Sequence, residues 1–166
     1  MNQVLHQIQA LLIRDLRGMT DEIEAYPNDE LVWKTPTSIS NSAGVLAMHA
    51  CGNLNHYVGH VLGGSSYVRD RNLEFTVQAL ARSEIRQALE STISILESVM
   101  PSINPDRMPE PFPESVGGHL LNTQAFLLHL STHLSFHLGQ IGYLRRILTD
   151  SNLSTNPVSL TVLGLE

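Results

Sequence analysis

The sequence predicts an all-α fold, a four-helix bundle with long crossover loops. Three observations carry that prediction: four segments of helical length with apolar residues every three or four positions, Pro- and Gly-rich stretches between them, and 42% hydrophobic residues in a chain of 166. That length and composition suit one compact domain over 1–166 with a core of its own. The first segment runs from about Asn2 to Ala25, where Val4, Ile8, Leu11, Leu12, Leu16 and Ile23 share a face and Pro27 ends the helix. Turn chemistry follows through Trp33, Pro36 and Thr37, and Ser40 or Asn41 caps a second helix that reaches about Leu62 and stops at Gly63-Gly64. Residues 65–81 read as an exposed connection with both charge signs around Arg69 and Arg71. Ser83 then caps a third helix to about Met100, with Ile85, Leu89, Ile93 and Leu96 as its apolar stripe. Prolines at 101, 105, 109, 111 and 113 forbid a continuous helix and predict an extended crossover along the bundle. Asn122 caps the fourth helix, to about Leu148, and a Ser/Asn/Thr-rich tail from Asp150 carries Val158, Leu160, Val162 and Leu163, which suit docking on a partner.

Charge and composition exclude several functions. A formal net charge of −6 with no basic stripe argues against nucleic acid as a partner. The apolar runs fall far short of the roughly 18 residues that a membrane span needs. The single cysteine, Cys51, leaves no intramolecular disulfide, and the N-terminus shows no signal-peptide pattern, so the expected setting is a reducing cytoplasm.

The chemistry concentrates in histidines, of which the chain has eight. In the fourth helix, His129-Leu-Ser-Thr-His133-Leu-Ser-Phe-His137-Leu-Gly-Gln140 places imidazoles at four-residue intervals. On a helix, His133 and His137 lie about 40° apart in azimuth and about 6 Å apart in height, so one cation fits against both. The wheel puts His137 inside the apolar stripe of Phe126, Leu130, Ile141, Leu144 and Leu148, and His133 on its edge. In the second helix His49, Asn53, His56 and His60 fall within about 60° of one another, a polar seam flanking the core face. A bundle builds metal sites from side chains of facing helices in this way. His56 and His60 suit the lining of a cavity or the surface, His129 the rim, and Gln140 and Asn53, each one turn past a histidine, are placed to orient a ligand. Cys51 lies about 200° from His49 on the wheel, which makes it a small buried residue and a poor co-ligand. Zinc-protease chemistry is excluded because Leu130 stands where H-E-x-x-H requires Glu, and di-iron chemistry lacks its Glu-x-x-His motifs.

These residues together resemble the DinB/YfiT-like superfamily of four-helix-bundle metalloproteins. The family's signature pairs one histidine of the second helix with an H-x-x-x-H of the fourth followed by x-Gly-Gln, matched here by His49, His133 and His137-Leu-Gly-Gln. His49-Ala-Cys-Gly-Asn-Leu-Asn-His56 and Arg69-Asp-Arg-Asn-Leu-Glu-Phe75 are similar to one branch's second helix and following loop, and Leu138 departs from the Arg or other polar residue often found there. The resemblance implies an up-down-down-up bundle, frequently a homodimer. It also implies a divalent metal, commonly nickel or zinc, held by His49, His133 and His137 with water in the remaining positions.

Such a centre acidifies bound water or polarises a thiol or carbonyl. The family reading is therefore a metal-dependent S-transferase using a low-molecular-weight thiol, or a related transferase or hydrolase acting on a small-molecule substrate. A hydrolytic route needs a general base, and the helix seams hold no carboxylate, which leaves Asp70 and Glu74 of the following loop. The contrasting expectation is a non-catalytic bundle that binds a metal or small ligand in a stress response.

Overall fold

The computed structural model describes residues 3–77 and 79–164. Its helices are α1 (Gln3–Glu24), α2 (Asp29–Trp33), α3 (Ala43–Leu54), which continues as a π-helix over Asn55–Leu62, α4 (Arg71–Thr76), α5 (Arg82–Val99) and α6 (Thr123–Thr149). Among the described residues no strand occurs, and the four long rods α1, α3 with its π extension, α5 and α6 form the bundle.

Burial follows the apolar period. Leu5, Ile8, Leu12, Leu16, Met19 and Ile23 of α1 and Ile85, Leu89, Ile93 and Leu96 of α5 are all buried. Side-chain pairs fix the directions. Asp15 and Glu22 of α1 meet Ser135 and Arg145 of α6 in rising order, so those helices run parallel. Gln9 reaches Leu96 while Glu24 reaches Arg86, so α1 and α5 are antiparallel. Gly59 and Gly63 lie on Ile95 and Val99, parallel to α5, and Tyr57 and His49 meet Phe126 and His133, antiparallel to α6. The order is up-down-down-up. Each long helix packs on two neighbours, with α1 and α3 across a diagonal.

The connections hold more structure than the sequence predicts. Asn28 caps the one-turn α2, whose Trp33 donates Nε1–H to the Leu80 carbonyl. Asp70 caps α4 within the segment expected to be an exposed connection. The cap of α3 is Ser42, two residues later than Ser40, and α5 begins at Arg82, with the Glu84 carboxylate accepting from the Ala81 N–H at 2.8 Å where a Ser83 cap is predicted. Asn122 caps α6 as expected. The proline-rich crossover is pinned by buried Met108 and Phe112, and Phe112 packs on Phe126 at 4.4 Å. The tail folds back on the bundle: the Pro157 ring lies against Gly18, and Thr155 donates to Glu22 at 2.7 Å.

Candidate metal centre

Three histidines converge where α3 faces α6. One ring nitrogen from each of His49, His133 and His137 lies within 4.8 Å of the others, a group able to hold a metal ion. The His133 and His137 Nε2 atoms are 3.0 Å apart. Two imidazole nitrogens at about 2.0–2.1 Å from one cation lie roughly 3.0–3.4 Å from each other, so this pair fits a shared ion as it stands. The His49 nitrogen, up to 4.8 Å from this pair, stands wider than that spacing.

Neighbouring groups set the rings. His49 Nδ1–H donates to Glu74 Oε2 at 2.9 Å, which leaves Nε2 free to face the other two rings. His137 Nδ1–H donates to Gln140 Oε1 at 2.7 Å, so its Nε2 is a bare lone pair, and the 3.0 Å contact is an N–H of His133 donating to it. Burial holds all three imidazoles below the ordinary histidine range. His133, with two other rings beside it, is lowered to about 4. For His49 burial outweighs the opposing pull of Glu74. The cluster is therefore neutral at physiological pH, the state a metal requires of its ligands.

Glu74 is the residue that the wheels underweight, since they place it only as a candidate base in a loop. It is buried, and Arg69 grips it through Nε–Oε1 at 2.6 Å and a second guanidinium nitrogen to Oε2 at 2.9 Å. Burial alone would raise its carboxyl, but hydrogen bonds from Arg69 and His49 prevail and hold it below the usual range. The pair fits because residue 52 has no side chain: a Cβ on Gly52 would lie 2.1 Å from Glu74 Oε1. Two sequence signals point here, the glycine one turn after His49 and Asp70 placed to cap a short helix carrying Glu74.

The other predicted residues divide. Asn53 lines a cleft of about 330 Å³ with His49, His133, His129 and Tyr57, and its buried Oδ1 has no hydrogen-bond partner. His56 is bound to Glu114 at 3.0 Å, and His60 donates to the Ser65 carbonyl; neither lines this cleft. The single polar seam drawn for these four residues splits at the π-helix, whose i→i+5 bonding, seen in Gly63 N–H to the Val58 carbonyl at 2.9 Å, turns each residue through less than the α-helical 100°. His137 is half-buried like His133 and does not sit inside the stripe. Buried Leu127, Leu134 and Leu138 move the stripe's centre away from both histidines. His129 is exposed at the rim, and Cys51 is buried, its thiol pushed up to about 12 by burial.

Fold and cluster together define an α-helical bundle protein with a candidate three-histidine metal centre. The chain belongs to the family described as "Protein of unknown function (DUF1572)", which it matches over residues 2–161. A comparison with curated proteins gives no match.

Proposed function

We propose that this protein is a divalent-metal protein of the DinB/YfiT-like superfamily, with nickel or zinc held by His49, His133 and His137 and used in metal-assisted chemistry on a small molecule. The convergence of three neutral imidazole nitrogens within 4.8 Å, two of them on His49 and His133 of the cleft wall, carries this reading. When bound, such an ion supplies a Lewis acid and lowers the pKa of a coordinated water or thiol.

The chain's own residues do the rest. Glu74 and Gln140 hold the rings of His49 and His137 in the tautomers that leave Nε2 open, and Asn53 offers a buried amide to whatever enters the cleft. With Glu74 engaged by Arg69 and His49, no carboxylate among the described residues lines the cleft to act as general base. That absence favours thiol transfer, in which a cation stabilises the nucleophilic thiolate, over hydrolysis. The same reading takes a low-molecular-weight thiol as co-substrate, a homodimer as the assembly and the cytoplasm as the setting. Among the described residues, no helix is long and apolar enough to cross a membrane.

Elemental analysis of protein purified without a histidine tag or chelator tests the proposal. Near-stoichiometric metal, lost in a His133→Ala/His137→Ala double variant, is the expected result. A wild type that holds no metal and takes up none when offered nickel, zinc or manganese would sink it.

A further inference from the structure

The cleft beside the histidine cluster is electrostatically at odds with the rest of the molecule. The chain is acidic, with a formal net charge of −6, yet among the described residues the cleft lining contains no carboxylate and two arginines, Arg69, which is paired with Glu74, and Arg71. Among the described residues, seven of the nine arginines have a carboxylate oxygen within 4.0 Å: Arg14, Arg17, Arg69, Arg82, Arg86, Arg107 and Arg145. Arg146 lies over the Tyr143 ring. Arg71 is the remaining one, an exposed cation at the cleft with its guanidinium 5.2 Å from the Phe75 ring. Phe75 in turn packs on His49 at 4.8 Å between ring centroids, so the guanidinium stands at most 10 Å from the His49 ring. The aromatic contact fixes the position of the cation while its N–H donors find no partner among the described residues.

We propose that this cleft takes a small organic anion, its carboxylate held by the Arg71 fork at the mouth and its other end reaching the histidines. The planar guanidinium matches a carboxylate bidentately, which favours it over a bulkier anion where one unpaired arginine is on offer. A volume of about 330 Å³ limits the ligand to metabolite size. Asn53, whose Oδ1 is buried without a partner on the same wall, supplies a second polar contact for a donor on that ligand. The inference rests on the metal reading for the inner end of the ligand only; the Arg71 end stands on the charge of the cleft.

The test has two arms. Cobalt(II) is titrated into wild type, Arg71→Ala and Arg71→Lys, and each loaded protein is then titrated with mercaptoacetate and with the neutral 2-mercaptoethanol, read by thiolate-to-cobalt absorption. Cobalt affinity is expected to be the same in all three. Mercaptoacetate is expected to half-saturate wild type at about a tenfold lower concentration than 2-mercaptoethanol, with the preference lost in Arg71→Ala and partly kept in Arg71→Lys. In the second arm metal-free protein is titrated with succinate, and a saturable shift of the Arg71 Nε–H resonance, identified by its absence in Arg71→Ala, is expected. A preference that survives Arg71→Ala, or cobalt-loaded wild type with no preference, overturns the inference. Should cobalt fail to bind, the metal reading falls, and the succinate arm decides alone: a saturable shift at Arg71 upholds the anion site and its absence overturns it.

Discussion

Glu74 does more for the histidine cluster than its place in a connecting segment suggests. It fixes His49, neutralises Arg69 and fills the space left by Gly52. Glu74→Gln keeps the shape and a hydrogen-bond acceptor for His49 but lowers ring basicity, so metal affinity is expected to fall about 10–100-fold with the helical circular dichroism unchanged. Glu74→Ala strands the Arg69 charge in a largely buried place and is expected to cost about 3–5 kcal/mol, read by denaturant titration. Equal metal affinity in wild type and Glu74→Gln would refute this role. The lowered pKa of His133 makes a second prediction. Its folded value of about 4 lies below the ordinary 6.5, so the unfolded chain binds the proton first, and the metal-free protein loses stability as pH falls through that interval. Melting temperatures taken with chelator from pH 7 to 4 should drop more steeply for wild type than for His133→Ala; identical slopes would remove His133 from the account.

The amphipathic rods α1 and α5 were legible in the sequence because a one-sided apolar stripe has a single helical solution, and α6 because its Asn122 cap and long apolar period agree. His133 and His137 were legible as a pair for the same reason, four residues on one helix face. What stayed hidden depends on contacts distant in sequence. The π-helix over Asn55–Leu62 has no signature in a 100° wheel, and it directs His56 and His60 away from the cleft; Gly59 and Gly63 there let the backbone approach Ile95 and Val99. The crossover was legible only as an extended segment, since five prolines forbid a continuous helix. It is held by two buried side chains and by the Phe112 N–H donating to the Leu121 carbonyl at 2.8 Å. Phe112→Ala is therefore expected to lower stability by about 3–5 kcal/mol, a core-sized loss from a loop residue. A change below about 1 kcal/mol in the same denaturant titration would show the crossover to be an ornament on the bundle.

At the scale of the whole molecule, the centre joins parts that the chain keeps apart: His49 from α3, Glu74 from α4, and His133 and His137 from α6. An ion bound there bridges α3 and α6 directly, with α4 tied in through the Glu74–His49 hydrogen bond, and stabilises the native state by mass action, about 2.7 kcal/mol at a free concentration one hundred times the dissociation constant. Nickel or zinc is thus expected to raise the melting temperature of wild type by several degrees and to leave the His133→Ala/His137→Ala variant unmoved. A rise of the same size in both would place the ion elsewhere.

The C-terminal end of α6 is fastened by the tail. Buried Arg145 donates to Glu22 and to the Leu153 carbonyl, and Thr155 completes the set. Because α6 follows the other three rods in the chain, both this fastening and the histidine cluster form only after its docking. On the ribosome, the first three rods emerge with His49 and Glu74 but without the partner pair, and no intermediate lacking α6 can assemble the three-histidine group. Metal capture during synthesis would then mark the completed bundle: on the proposed reading a nascent chain arrested before Thr123 is expected to stay metal-free and a released one to take up the ion.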